Sequence, residues 1–316
     1  MNSFGRNFRV QVFGESHGEA IGVVVDGVKA GMPLSADDFR NDLLRRKSGA
    51  KGTTPRIEAD EPEIISGVFE GHTTGAPIAI IFRNNNTRSA DYKGLVDVPR
   101  PGHADYTASV KFCGFNDPRG GGHFSGRMTL PLVAAGVIAK KQCGFDPKAR
   151  LVEIGGEADN SKWDNLLETV AAEGDSIGGV VECSIDGVPA GLGEPFFDSV
   201  ESLISHAVFS IPGVRGIEFG DGFSAARMNG SEHNDCFPLQ KNGSGGINGG
   251  ITNGAPIVFR VAFKPTSSIR KEQKTLNTKT GETVSLVIPG RHDTCFALRT
   301  PVIVEAVAAL VLADLI

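Results

Sequence analysis

The hexapeptide Asp26-Gly27-Val28-Lys29-Ala30-Gly31 returns 160 residues later as Asp186-Gly187-Val188-Pro189-Ala190-Gly191. Each copy follows a strand-like apolar run and precedes a helical pattern. A repeated β–turn–α unit restricts the 316 residues to one domain of two similar halves, roughly 1–150 and 151–316. The competing reading is a chance meeting of residues common in turns. Around the echo, residues 21–28, 77–83, 178–186, 256–263 and 283–288 read as strands.

The spacing predicts a helix opened by Ser35 and closed by Arg45, Arg46 and Lys47. Residues 129–143 form an apolar helix stopped by Gly144, and residues 160–173 another stopped by Gly174. Asp198 and Glu201 make a capping box for a helix to about Val208. Thr300 caps a last helix begun by Pro301, with the apolar run Ala306–Leu312 in an amphipathic pattern. Residues 268–282 read as an exposed, mobile polar loop. The fold class expected is α+β.

Charge and composition remove several functions. A net charge of −5 argues against a general nucleic-acid binder, and Trp163, Tyr92 and Tyr106 form no stacking ladder. Five scattered cysteines without a CxxC suggest neither a disulfide framework nor a zinc site, and HExxH is absent. No run reaches the ~20 apolar residues of a membrane span. The N-terminal residues lack a secretory core, so a cytoplasmic location is expected. What stands out is glycine, 41 residues bunched at GESHG, RGGGH, EFGDGF and NGSGGINGG. Such loops let backbone approach a ligand closely.

Chemistry-bearing residues sit in those loops. His17 and His103 lie beside glycines and charged groups, where an imidazole can donate a proton near neutral pH; the alternative is a pair of surface histidines. In Arg119-Gly120-Gly121-Gly122-His123-Phe124-Ser125-Gly126-Arg127, backbone N–H groups and the next helix's positive end suit a phosphate or flavin tail. It matches neither GxGxxG nor the P-loop, and a merely flexible loop is the alternative. Lys264-Pro265-Thr266-Ser267-Ser268 brings a lysine and three hydroxyls to a strand end. Arg291-His292-Asp293 is either a base beside a bound ring or a surface salt-bridge triplet.

Taken together, these motifs resemble the chorismate synthase family. The likeness runs from Phe8-Arg9-Val10 through Gly14-Glu15-Ser16-His17-Gly18 to the last helix. It includes Ser66-Gly67-Val68-Phe69-Glu70-Gly71, Arg100-Pro101-Gly102-His103-Ala104-Asp105 and Phe219-Gly220-Asp221-Gly222-Phe223. Gly230-Ser231-Glu232-His233-Asn234-Asp235, the Lys264 run and Gly290-Arg291-His292-Asp293 complete it. The resemblance implies antiparallel sheets packed with helices in an internally repeated arrangement, and a homotetramer. It implies a 1,4-anti elimination of phosphate from 5-enolpyruvylshikimate 3-phosphate, giving chorismate with reduced FMN and no net redox change.

By position, the resemblance makes His17, His103 and Asp293 catalytic. His17 acts on the reduced flavin, His103 donates to the departing phosphate, and Asp293 assists removal of the ring proton by way of flavin N5. Ser16, Arg46, Lys51, Arg100 and Arg127 fall at substrate positions. His123, Phe124, Ser125, Pro212, Gly213, Gly249, Lys264 to Ser268 (Lys264, Pro265, Thr266, Ser267, Ser268) and Arg291 fall at FMN positions. The family's Arg-Arg-Arg-Pro-Gly reads Arg45-Arg46-Lys47-Ser48-Gly49 here, and its Gly-Gly-Gly-Arg-Ser-Ser-Ala-Arg reads Gly120 to Arg127 with His123 and Phe124 substituted. No metal is implied. NADPH as the flavin's reductant is left open; the absence of an evident reductase domain points to an outside source. The remaining alternatives are a metal-dependent phosphohydrolase and a non-catalytic polyanion-binding protein.

Overall fold

The computed structural model describes residues 1–54, 58–86, 96–236, 241–288, 290 and 292–316. The first half contains strands β1 (Ser3–Phe4), β2 (Arg9–Gly14) and β3 (Ala20–Asp26), then helix α1 (Arg40–Arg46). There follow β4 (Glu63–Ser66), the hairpin β5 (Val68–Phe69) and β6 (His72–Thr73), β7 (Ile78–Arg83), α2 (Asp105–Lys111) and α3 (Thr129–Cys143). The second half runs β8 (Lys148–Ile154), α4 (Trp163–Ala172), β9 (Gly179–Ile185), α5 (Val200–Val208), β10 (Val214–Phe219) and α6 (Gly230–His233). It ends with the hairpin β11 (Ile247–Asn248) and β12 (Ile251–Thr252), β13 (Ile257–Phe263), the hairpin β14 (Gln273–Leu276) and β15 (Thr283–Leu286), and α7 (Pro301–Leu315).

Two antiparallel sheets face each other across helices, the α+β architecture expected. Their strand orders are β1-β2-β3-β7-β4 and β10-β13-β9-β8. Without the short β1, each sheet places the corresponding strands of its half in the same sequence, and the corresponding outer strands β4 and β10 each carry a register shift. The echo is held identically in both. Thr73 Oγ1 accepts from Met32 N–H at 3.0 Å and donates to the Lys29 carbonyl at 2.6 Å. Thr252 Oγ1 accepts from Leu192 N–H at 2.9 Å and donates to the Pro189 carbonyl at 2.7 Å. Gly31 and Gly191 both take positive φ, +83° and +105°, where a side chain would be strained. We read the chain as one domain of two similar halves, and these matched latches support that reading.

Alternation decides which sheet faces turn inward. Ile21, Val23 and Val25 of β3 and Ile78, Ile80 and Phe82 of β7 are all fully buried. Helix α3 packs on this sheet and α7 on β8 and β9. The last helix is not amphipathic: Val302 through Ala313 are buried on every face, as an all-round apolar helix must be. It lies along α3, and a Cβ on Gly136 would come within 2.4 Å of Ala306 Cβ. Only glycine permits that approach.

Other expectations shift by small physical reasons. Ser199, not Asp198, caps α5 through its side chain, which accepts from Ser202 N–H; Asp198 instead pairs with Arg6 at 3.0 Å. Thr300 occupies the cap position of α7, but its hydroxyl donates to the Ala297 carbonyl. Ser35 starts a 3₁₀ turn (Ala36–Phe39) that runs into α1. Part of residues 268–282 is ordered as strand β14, paired with β15. Strands β2, β8 and β10 escape notice in sequence because polar residues interrupt their short apolar runs. No helix among the described residues is long and apolar enough to cross a membrane.

One charge sits inside the helical layer. Glu305 on α7 is 1% exposed and accepts both nitrogens of the Arg45 fork at 2.6 Å. Lys140 of α3 lies 3.4 Å away, and the Ala149 N–H at the start of β8 donates at 2.8 Å. Removing the carboxylate leaves Arg45 and Lys140 paired with Asp42, at 3.4 and 2.8 Å, and takes the acceptor from the Ala149 N–H. Glu305→Ala is expected to lower unfolding free energy by about 1–3 kcal/mol, read as a fall in the urea midpoint. A loss within about 0.5 kcal/mol, the size of an ordinary surface change, would show that the cluster is not needed for stability.

Candidate active site

A cleft of about 910 Å3 opens where loops of both halves meet. That is the upper end of the roughly 300–1,000 Å3 range for small-ligand sites. Arg46, Lys47, Arg100, Arg127, Arg215, Lys264 and Arg299 line it, against Glu58, Asp60 and Asp293. Seven cations to three anions make a positive hollow in a chain of net charge −5. Such a cleft focuses an anionic ligand toward one place.

The triple-glycine loop borders the cleft through Gly120. Gly120, Gly121 and Gly122 all have positive φ, between 53° and 80°. A Cβ on Gly120 would lie 2.4 Å from the His17 ring, and one on Gly121 would lie 3.3 Å from His103 Cε1 and Nε2. The bare backbone therefore separates two histidines. His17, buried at 7% exposure, does not line the cleft itself but packs on Gly120, which does. Ser16 is fully buried and its Oγ has no hydrogen-bond partner. Ser125 accepts from Arg127 N–H and so shapes the turn that leads into α3. His123 turns its Nδ1 to the Gly14 carbonyl at 2.8 Å and its Nε2 to Asn2 Oδ1 at 3.2 Å.

Three carboxylates organise the cations. Asp60, at 6% exposure and φ +56°, meets Arg127 at 2.9 Å and Arg46 at 3.5 Å. A non-glycine residue held there stores strain of order 1–3 kcal/mol, which its surroundings must enforce. Burial, opposed by Asp60 and reinforced by Arg299 and Arg127, pulls the Arg46 guanidinium down to about 9, still charged at neutral pH. Asp293 accepts from Thr54 N–H and from Arg299, each at 2.8 Å. Asp105 receives Arg100 through Nε at 2.7 Å and Nη2 at 2.8 Å, and contacts His103 Nδ1 at 2.6 Å. Burial alone would raise its pKa; hydrogen bonds from Arg100 and His103 hold it far below the usual carboxylate range.

The strand end after β13 forms one wall. Lys264 bonds the Gly102 carbonyl and, at 2.8 Å, Ser267 Oγ; burial, then Arg215, pushes its pKa down. Ser268 accepts from Arg100 at 3.1 Å, and Thr266 Oγ1 is buried without a partner. Pro212, Gly213, Pro265 and Phe124 also line the cleft.

Ser16, like His17, does not line the cleft, and two further expected residues are elsewhere. Lys51 is half exposed and pairs with Glu168 at 2.8 Å and Asp164 at 3.5 Å, so carboxylates of α4 outcompete the cleft for it. Gly249 turns the β11–β12 hairpin in the open, away from the cleft. Arg291 lies outside the described residues. Sequence gives no signal for Asp60, Arg215, His206 or Thr54, whose neighbours come from distant segments; Arg299 was visible only as one of a local pair of arginines with Arg291, and Asp105 only as part of the Arg100–Asp105 run. Among the described residues no group of three or more His, Cys, Asp or Glu side chains is arranged to hold a metal ion. Gly120→Ala is expected to displace the His17 ring, read as a shift of its imidazole NMR signals. Left-handed backbone strain should lower stability by about 1–2 kcal/mol as well.

The whole chain has known counterparts. A family model described as chorismate synthase matches residues 8–316. The chorismate synthase of Chitinophaga pinensis is 62% identical, across 99% of this chain and 96% of its own length. That of Korarchaeum cryptofilum is 46% identical, across 98% and 96%. A solved structure described as "Crystal Structure of Chorismate Synthase" superposes with a TM-score of 0.73 at 29% identity, covering 99% of this chain and 92% of that one. Relatives of this likeness, end to end, settle the matter that motif order raised: the chain belongs to the chorismate synthase family of lyases, which carry out the last step of the shikimate pathway.

Proposed function

We propose that the cleft binds 5-enolpyruvylshikimate 3-phosphate against reduced FMN and eliminates phosphate from it in a 1,4-anti sense. The observation that carries this reading is the gathering of His103, Asp293, Arg46, Arg127 and Lys264 on one positive cavity. The substrate bears two carboxylates and a phosphate. Arginine forks suit such groups because each pairs bidentately with an oxyanion. Arg46 and Arg127 are held by Asp60 before ligand arrives, which spares reorganisation during the reaction.

The residues present fit a flavin. Thr266 Oγ1, on the cleft wall, is a buried polar atom without a partner, the kind of group that a polar ligand satisfies. Lys264 to Ser268, with His123, Phe124, Ser125, Pro212 and Gly213, would hold it, and Arg291 and Gly249 are assigned to it by position. Gly249 can serve the cofactor only from a neighbouring subunit, in keeping with a homotetramer; Phe115, Phe196 and Phe197, each more than four-fifths exposed, offer apolar surface for such contacts. When bound and reduced, FMN supplies electron density to a breaking C–O bond.

The chain's own groups move protons. His103 donates to the oxygen of the departing phosphate. Asp293, oriented by Thr54 N–H and Arg299, takes up the proton lost from the ring. His17, pressed on Gly120, holds a proton beside the flavin. The protein is read as cytoplasmic.

The test is anaerobic. With dithionite-reduced FMN and the enolpyruvyl substrate, chorismate absorbance should rise, and omission of flavin should abolish it while a chelator leaves it unchanged. Phosphate release without flavin that a chelator stops would overturn the reading in favour of a metal-dependent hydrolase. His17→Ala, His103→Ala and Asp293→Ala should each lose about 10²-fold or more in kcat; wild-type rates in all three would refute the roles. Arg127→Ala should raise KM at least tenfold, since a hydrogen bond to a charged group contributes about 1.5–3 kcal/mol. With NADPH in place of dithionite, turnover is expected only after an external flavin reductase is added.

A further inference from the structure

Asp105 receives four contacts from two residues. Its Oδ2 accepts the Arg100 backbone N–H at 3.1 Å and Arg100 Nε at 2.7 Å. Its Oδ1 accepts Arg100 Nη2 at 2.8 Å and lies 2.6 Å from His103 Nδ1. Arg100 Nη2 is itself 3.1 Å from that same Nδ1. An N–H of Arg100 cannot be accepted by Nδ1 while Nδ1 carries a proton. Of the two arrangements, the shorter contact runs to the anion. The acceptor capacity of Asp105 then holds both donors, and nothing buried is left unmatched.

We propose that Asp105 is a positioning residue that keeps a proton on His103 Nδ1, so that Nε2 is the only nitrogen of the ring that exchanges a proton with ligand. The inference rests on the proposed role of His103 as acid. Nε2 is the nitrogen on the Gly121 side, 3.3 Å from the point where a Cβ would sit. In the elimination, the C–O bond to phosphate breaks with its electron pair on oxygen. The Nε2 proton passes to that oxygen, and the imidazolium becomes a neutral ring protonated at Nδ1. Asp105 stabilises that neutral form directly. A ring protonated only at Nε2 would have to become an imidazolate to do the same work. Arg100, with Nε and Nη2 on Asp105 and Nη1 on Ser268 at 3.1 Å, acts here as the brace of this pair. Its position in the cleft therefore supports a histidine as well as a substrate charge.

The geometry makes Asp105→Asn informative. Two Arg100 donors converge on the Oδ2 position, so they select the amide oxygen there. The amide NH₂ must then face His103 Nδ1 and donate to it, which forces the proton of the neutral ring onto Nε2. Nitrogen-15 NMR of the histidine rings in the ligand-free chain, at a pH where the ring is neutral, reads this without catalysis. The expected result is an Nδ1–H tautomer in the wild type and an Nε2–H tautomer in Asp105→Asn, with kcat reduced about 10²-fold or more and KM changed less than about threefold.

An Nε2–H tautomer in the wild type overturns the proposal, and that measurement stands even where the variant does not fold. An unchanged Nδ1–H tautomer in a folded Asp105→Asn overturns it too. An inverted tautomer with unaltered kcat supports the positioning role and instead sinks the reading of His103 as acid, which His103→Ala tests separately.

Discussion

The fold depends on how closely α3 and α7 approach. Gly136 lies against Ala306, and one residue before that contact Glu305 takes up Arg45 from α1 and Lys140 from α3. Helices α1, α3 and α7 and the first residues of β8 are tied to a single carboxylate. Each half alone would expose one apolar helix face; together they bury a common helical layer between two sheets. Because the layer fixes the distance between the sheets, it also fixes the distance between their loop ends, where the cleft lies.

Helix α1 shows how the core and the site share one element. Arg45 and Arg46 are neighbours in sequence but point about 100° apart around the helix. Arg45 turns to Glu305 in the helical layer, whereas Arg46 turns to Thr129, at 3.0 Å, and to Asp60 at the cleft. A shift of α1 would therefore move the cationic wall of the cleft, so the stability of the helical layer and the geometry of the site are coupled. Lys51, just beyond this helix, is drawn instead to α4.

Around the cleft, repulsion among cations is managed by buried and part-buried carboxylates. Asp60, Asp105 and Asp293 each bind at least one guanidinium. This arrangement resembles a prepaid dipole: charge is oriented during folding rather than during turnover. The glycine loop 120–122 serves the same end by a different means, since the absence of side chains lets His17 and His103 approach the same backbone.

The sequence by itself determined what local rules can fix. Strands β3, β7, β9 and β13, the Gly144 stop of α3, the echoed turns and the loops that carry His17, His103 and Lys264 were all legible, because alternation, glycine conformational freedom and Pro301 act over a few residues. Motif order further indicated the family and, among the cleft's lining, Arg46, Arg100, His103, Arg127, Lys264 and Asp293. The tertiary structure alone decided which carboxylate meets which cation, that α7 is buried all round, that Lys51 faces α4 and that Gly249 stands away from the cleft. Those outcomes turn on segments brought together from as far apart as Arg45 and Glu305, and no local pattern encodes a partner at that distance.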